Sequence, residues 1–424
     1  LVRCGQPGAE RARPRPVTGD IFRLSSHRPI DPCGLTRRIR GSDRITDDQS
    51  TYRDKEREKM NVRNEGSPAV EFAWFGPCCG DDYEFLGTPD PALASTPAHV
   101  RNIALAAEAA GFKNILLPSG YVPGVDPWTI ASALSTETSK IQLLPAIRVG
   151  EQHLPMFARA AANLDHMMKG RLTINIISSP LVGLPPAPAK ERYTRTQEFM
   201  RLLKMFWRPE RVKFSGQYYQ FDLDPEPCRP YQPGGPLLYF GGASPEAKAA
   251  AAAEADVYLF WGEPAPAIRT GIEEMSALAA KCERELLFGL RVHVIARQTE
   301  AEAIAAADRL VSKLEAEVGD VIKQRALDRD SVGKQRQNAL LAQGEWVDTH
   351  LWTGVGRARG GCGTAIVGSY DQVEAKLQEY ISLGIRAFIL SGYPHLPEAQ
   401  RFGQHVLPRF EQSTCAEMRL NRAG

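Results

Sequence analysis

The segment Leu287-Phe-Gly-Leu-Arg291-Val-His293-Val-Ile puts a guanidinium and an imidazole two residues apart in an otherwise apolar run. Such a run reads as a strand, where residues two apart share a face, so Arg291 and His293 point one way and Leu290, Val292 and Val294 the other. A cation turned inward needs company, because an unpaired buried charge is costly. It is either half of a structural ion pair or part of an anion-binding, proton-handling site at the end of the strand. A phenol ends another apolar run, in Leu390-Ser-Gly-Tyr393-Pro-His395, where its hydroxyl could reach the same cavity; a Tyr-Pro pair also suits a plain turn. Trp261, following Leu259-Phe260, offers a flat wall to an aromatic ligand, or simply packs. In Tyr239-Phe-Gly241-Gly242-Ala-Ser244-Pro a Gly-Gly turn runs into a helix capped by Ser244, and backbone N–H groups at a helix start can hold a phosphate. Tyr193, at the start of a helical run to Phe206, could add a hydroxyl there or serve the core. Arg359 lies in a glycine-dense stretch, Leu351-Trp-Thr-Gly-Val-Gly-Arg-Ala-Arg359-Gly-Gly-Cys-Gly-Thr-Ala, whose backbone can swing a guanidinium inward as a lid closes; otherwise it is a solvated loop arginine. Cys78 and Cys79 are adjacent, but no CxxC or Cys/His cluster follows, so no metal site is expected.

These side chains need a scaffold that brings distant segments to one place. From Val70 onward short apolar runs alternate with amphipathic ones, the pattern of a parallel sheet buried on both faces. Eight runs read as strands: 70–74, 114–117, 141–147, 172–177, 237–240, 256–260, 287–295 and 386–390. Helices between them carry start and stop signals, as in Thr96-Pro97 with Gly111, Ser244-Pro245, and Thr299. Eight strands with intervening helices over this length predict a (β/α)8 TIM barrel. An open doubly wound sheet is less favoured, because no Gly-rich dinucleotide fingerprint follows the first strand. Two connections are long: residues 178–236 after the fourth strand, and residues 299–368 after the seventh, the latter read as one helix and then a lid. Leaving the strands' C-terminal ends, both would rise over the face where barrel active sites lie.

The chain has 424 residues, 43% of them hydrophobic and 24% charged. Residues 1–65 hold 15 Lys and Arg against 10 Asp and Glu, leaving 37 against 40 elsewhere. A slightly acidic body argues against nucleic acid as the partner. Residues 1–66 lack any apolar period and read as a disordered basic extension, with 67–424 as the folded domain and Met60 as an alternative start. Eight scattered cysteines suit a reducing, cytoplasmic setting, and no apolar run approaches the ~20 residues of a membrane span.

Taken together, Leu238-Tyr-Phe-Gly-Gly, Trp261-Gly-Glu-Pro, Arg291-Val-His-Val-Ile, Asp330-Ser-Val-Gly-Lys-Gln-Arg, the Arg359 stretch and Ser391-Gly-Tyr-Pro-His-Leu resemble the FMNH2-dependent alkanesulfonate monooxygenases of the bacterial luciferase-like superfamily. The resemblance implies reduced FMN supplied by a separate NAD(P)H-dependent reductase, O2 as co-substrate, and an alkanesulfonate cleaved to aldehyde and sulfite by a homodimer or homotetramer. It implies that Arg291 binds the sulfonate, that His293 and Tyr393 complete the polar cavity, that Trp261 shields the oxygenated flavin, and that Arg359 is the lid arginine. It places Ser244, Gly241, Gly242, Tyr193, Asp126 and Arg148 on the cofactor side. A sulfonate is ionised at any physiological pH, so guanidinium donors suit it better than a titrating partner. The chain departs from the family pattern in three places: Cys79 stands where a histidine is usual, Ala189 replaces another histidine, and the segment from Ser119 to Asp126 lacks a cysteine and is one residue longer. Two other readings remain: a deazaflavin-dependent oxidoreductase on the same barrel, and a flavin binder without catalysis.

Overall fold

The structure, a computed structural model, describes residues 68–120, 124–224, 228–324 and 331–423. The N-terminal extension and Asp330 lie outside the described residues. Among the described residues thirteen strands follow in chain order: β1 Glu71–Phe75, β2 Asn114–Leu117, β3 Gln142–Arg148, β4 Thr173–Ile177, β5 Val212–Ser215, β6 Gln220–Leu223, β7 Leu237–Gly241, β8 Val257–Trp261, β9 Leu287–Arg297, β10 Trp346–Asp348, β11 Leu351–Trp352, β12 Ala365–Ser369 and β13 Ile385–Ser391. Strands β1, β2, β3, β4, β7, β8, β9 and β13 pair in parallel, each with the next, and β13 pairs back to β1, closing an eight-stranded barrel. All eight strands read from the sequence are in the ring.

The barrel closes because side chains alternate between two apolar environments. Phe72 and Trp74 face outward and join the large cluster that the surrounding helices cover. Ala73 and Phe75 face inward with Leu116, Leu144, Tyr239, Val257, Ala387 and Ile389. The helices begin where capping chemistry allows. Thr96, Ser244 and Thr299 each accept from the backbone N–H three residues on, Glu302 completes a capping box with Thr299, and Gly111 ends its helix at φ 94°.

The connection after β4 serves two places. Residues 178–188 stay near the mouth, and the helix Ala189–Phe206 then descends along the barrel, so Tyr193 lies one turn inside it and not at its start. The β5–β6 hairpin lies along that helix, its turn held by Glu198, which accepts from the N–H groups of Gln217, Tyr218 and Tyr219.

The connection after β9 is more structured than one helix and a lid. Among the described residues three helices, Glu300–Val311, Ala316–Gln324 and Val332–Gln343, precede β10, β11 and β12. The reason is in β9, which spans 11 residues while the ring strands beside it have 5 and 7. Its first half pairs β8 and its second half, from His293 to Arg297, pairs β12 in parallel. The extra sheet β10–β11–β12 is thus grafted onto a ring strand, and Trp352, Ala365 and Val367 bury against Ile295, Leu86 and the helix Glu300–Val311.

The opposite end of the barrel is plugged. Glu71 accepts from the Tyr239 hydroxyl at 2.7 Å, from Asn114 at 3.1 Å and from the Cys415 N–H at 2.8 Å, where the helix Cys415–Ala423 seals the floor. Burial raises the Glu71 pKa, against the pull of those donors.

Candidate active site

Period-two alternation carries the inward row of β9 up to the C-terminal mouth as Gly289, Arg291 and His293. Arg291 is fully buried and forms no ion pair with any carboxylate among the described residues. Its Nη1 donates to the carbonyl of Val292 at 2.8 Å and its Nη2 to Ser391 Oγ at 2.7 Å. The structural ion pair considered for it is absent among the described residues. Burial and the neighbouring Arg359 press its pKa down to about 10, which leaves it cationic at neutral pH.

Ser391 Oγ also lies 2.7 Å from His293 Nδ1, and His293 Nε2 lies 3.2 Å from the carbonyl of Cys362. The Cys362 carbonyl can only accept, which puts the imidazole proton on Nε2, and the Ser391 hydroxyl, accepting from Arg291, donates its hydrogen to Nδ1. Both ring nitrogens are therefore engaged. Burial, then the charges of Arg291 and Arg359, push the His293 pKa well below its ordinary value. His293 is a neutral link between β9 and the Cys362 segment, not a free proton carrier.

The glycine-dense stretch brings Arg359 to the same place. Its Nη1 donates to the Tyr393 hydroxyl at 2.7 Å and to Asp81 Oδ2 at 3.1 Å. Burial works against its charge, but Tyr393 and Asp81 more than compensate, so its pKa is raised. Tyr393 is buried and accepts from Arg359, so its own hydroxyl hydrogen remains to be donated; burial raises its pKa and keeps it protonated. The two guanidinium carbons lie 4.6 Å (Arg291) and 5.2 Å (Arg359) from the centroid of the Phe75 ring, a cation–π seat shared by both arginines. His395 stacks on Phe75, donates its backbone N–H to Asp82 and is held neutral by burial, its pKa lowered to about 4. Trp261 is paired in register with Arg291 and packs against Gly333, where a Cβ would come within 3.1 Å of its ring.

Around the rim from these residues lie the others. Arg148, at the end of β3, is buried and ties Glu151 (2.9 Å), Ser179 (2.8 Å) and Ser119 (3.3 Å) together. Asp126 is exposed and caps the helix Pro127–Glu137 through the Thr129 N–H at 2.7 Å. Ser244 caps its helix through Ala247, and a Cβ on Gly242 would meet Ala247 at 2.6 Å and the Tyr193 hydroxyl at 3.4 Å. Gly241, at the end of β7, is paired in register with Leu259, and Gly242, Ser244 and Tyr193 gather at the helix start that follows. Cys79, half-buried beside Asp81, has its thiol pKa raised to about 12 by desolvation and then by that carboxylate, so it is a neutral thiol. Among the described residues no three His, Cys, Asp or Glu side chains are grouped as a metal site would need.

Reading by motif missed Phe75, Asp81, Ser391 and Gln337. Ser391 and Phe75 follow by period two from Ile389 and Ala73, but the strands read from sequence stop one residue short of each. Asp81 and Gln337 carry no local signal, since they meet the site only through tertiary contact.

A closed barrel that gathers two arginines, an aromatic seat and a phenol at its C-terminal mouth, beneath an inserted arm, has the architecture of a barrel enzyme. The luciferase-like monooxygenase family model matches residues 70–387, and the chain belongs to that family. It is 48% identical over 348 residues to a sulfoquinovose monooxygenase of Novosphingobium aromaticivorans, covering 80% of this chain and 96% of that protein. It is 46% identical over 353 residues to the sulfoquinovose monooxygenase of Agrobacterium fabrum, covering 82% and 91%. Among solved structures, riboflavin lyase with modified FMN and its substrate riboflavin superposes with a TM-score of 0.68 at 19% identity, over 84% of this chain and 96% of that one, a likeness of fold. No helix among the described residues is long and apolar enough to cross a membrane.

Proposed function

We propose that this chain is the oxygenase half of a two-component system that cleaves the carbon–sulfur bond of a sulfonated sugar, sulfoquinovose, using reduced FMN from a separate NAD(P)H-dependent reductase and O2. The observation that carries the reading is Arg291, a buried guanidinium without a carboxylate, beside Arg359 on the Phe75 ring. A sulfonate supplies the missing negative charge at any physiological pH and presents three acceptor oxygens to two donor forks. The names of the two relatives favour a sugar sulfonate over the plain alkanesulfonate implied by the sequence motifs.

The residues present fit a flavin mononucleotide. Gly242 and Ser244 lead from the end of β7 at Gly241 into a helix N-terminus, where a phosphate is favoured, with the Tyr193 hydroxyl alongside. The buried Ser178 hydroxyl near the end of β4 has no hydrogen-bond partner and suits a polar cofactor chain. Arg148 and Asp126, already engaged locally, act here as rim supports. When bound, reduced FMN supplies two electrons and activates O2.

The overall change balances: a sulfonate R–CH2–SO3⁻, O2 and FMNH2 give R–CHO, sulfite, water, oxidised FMN and one proton. One oxygen atom enters the carbonyl and the other leaves as water, while the C–S bond breaks. Arg291 and Arg359 hold the sulfonate oxygens, and the positive pair stabilises the extra charge as sulfite departs. Tyr393 donates its hydroxyl hydrogen to the bound substrate. His293 and His395 stay neutral, so neither competes with the arginines for the anion. Trp261 and the arm over it keep water from the reacting centre.

The test is sulfite release by purified protein with a general FMN reductase, NAD(P)H and O2, offered sulfoquinovose and small alkyl sulfonates in parallel. Sulfite from the sugar sulfonate at least about tenfold faster than from alkyl chains supports the reading, since a site built for hydroxyls discriminates against partners lacking them. Sulfite from neither, above the reductase-only control, would overturn it.

A further inference from the structure

The stretch from Ser331 to Arg336, one of the segments that carry the family resemblance, has no part in the chemistry above. Its place in the fold gives it one. The helix Val332–Gln343 is docked on the turn that follows β8 at three successive points: Gly333 under the Trp261 ring, Arg336 paired with Glu263, and Gln337 beyond them. Gln337 is buried and uses both ends of its amide. Its Nε2 donates to the carbonyl of Gly262 at 3.0 Å, and its Oε1 accepts from the N–H of Gly363 at 2.9 Å.

Gly363 is the neck of the arm that carries Arg359. Gly356 donates to the Gly363 carbonyl at 2.9 Å, closing residues 356–363 into a tight loop, and a Cβ on Gly363 would come within 2.6 Å of Gly356 Cα. Arg359 projects from that loop to Tyr393 and Asp81. Thr364 reinforces the neck by donating to the same Gly262 carbonyl at 2.9 Å.

We propose that Gln337 is a positioning residue that pins the neck of this loop to the barrel rim and so fixes where Arg359 lies over the anion site. The loop's glycines give it many conformations, and a single side chain that satisfies one N–H on the arm and one carbonyl on the rim selects among them. Alone, the arginine's own contacts to Tyr393 and Asp81 would be lost whenever a sulfonate took them over. Gln337 holds the loop in place through that exchange. The functional half of the proposal rests on Arg359 binding the sulfonate; the structural half does not.

Two variants of the full chain test it. Gln337→Met keeps the volume and removes both hydrogen bonds, while Gln337→Glu keeps the acceptor for Gly363 and turns an oxygen on the Gly262 carbonyl. Amide hydrogen exchange over residues 354–364, without ligand, should quicken about tenfold in Gln337→Met, the effect of losing a buried hydrogen bond. With sulfonate, KM should rise about tenfold and kcat fall by a smaller factor, because a misplaced clamp loses its hold on the bound anion and part of its hold on the departing charge. More of the reducing equivalents should also appear as hydrogen peroxide. Should Gln337→Met not fold, Gln337→Glu is expected to show the same exchange and KM shifts at smaller size. Exchange at the wild-type rate overturns the proposal, as does faster exchange with an unchanged KM. If no variant and no wild-type protein releases sulfite, the sulfonate reading falls and the exchange rates still decide whether Gln337 pins the loop.

Discussion

The two ends of the barrel treat buried charge in opposite ways. At the floor, the acids are answered from within the chain. Glu71 has three donors, and Asp256 takes the Leu238 N–H together with Lys204, Arg284 and Arg419. At the mouth, Arg291 has neutral partners only, and Asp81 Oδ1, Ser178 Oγ and His395 Nδ1 are buried without any. The floor has orphan atoms too, on Gln142 and Gln412, but these are neutral amide oxygens. A self-answering end contributes stability, and an end with a charge left over is made for something that arrives from solution.

Arg291→Leu tests that contrast most severely. Removing a clamp on the departing charge is expected to lower kcat/KM for sulfite release about 10³-fold. Stability to urea should hold or rise, since an unpaired buried charge has been replaced by an apolar chain. A large fall in stability would mean that Arg291 belongs to the scaffold. At the floor the expectation reverses. Tyr239→Phe takes a donor from the buried Glu71 and should cost about 1–3 kcal/mol in denaturant titration, with kcat/KM unaltered. An altered kcat/KM would show that the two ends are coupled.

The smallest expected effect is a flat line. Burial first, then neighbouring charges, hold His395 down to about 4 and His293 well below its ordinary value. Neither gains a proton in the folded enzyme between pH 5 and 8, so kcat/KM should show no inflection near 6.5. Stability behaves differently. Unfolded histidines take up protons below about pH 6.5 and these two do not, so folding stability should begin to fall as the pH drops below that value, towards about 4. An activity inflection at 6.5 would mean that a mouth histidine titrates after all.

Much of this was legible in the sequence because it is periodic. The eight ring strands and the helix starts at Thr96, Ser244 and Thr299 are local patterns of apolar spacing and capping. The pairing of Arg291 with His293 on one face needed only the period of a strand. What could not be read is where a strand ends, because Phe75 and Ser391 are held by neighbours that are remote in sequence. The second half of β9 pairs a strand over seventy residues further on, so the insertion looked like a loop with one helix. The ion-pair alternative for Arg291 also needed coordinates to dismiss, since absence of a partner is a property of the whole fold.

The shared strand β9 has a consequence for anyone who would exchange parts between relatives. The ring and the added sheet have the strand β9 in common, and His293 pairs with both β13 and β12. A chimera that transplants residues 298–369 alone would splice a foreign sheet onto a native edge, and the seam would fall on the hydrogen bonds that align Ala365 with His293. The heritable module is larger than the insertion. It begins inside the barrel wall, at the turn before β9, and ends after β13, so new substrate ranges are more readily recruited by exchanging that quarter of the barrel whole.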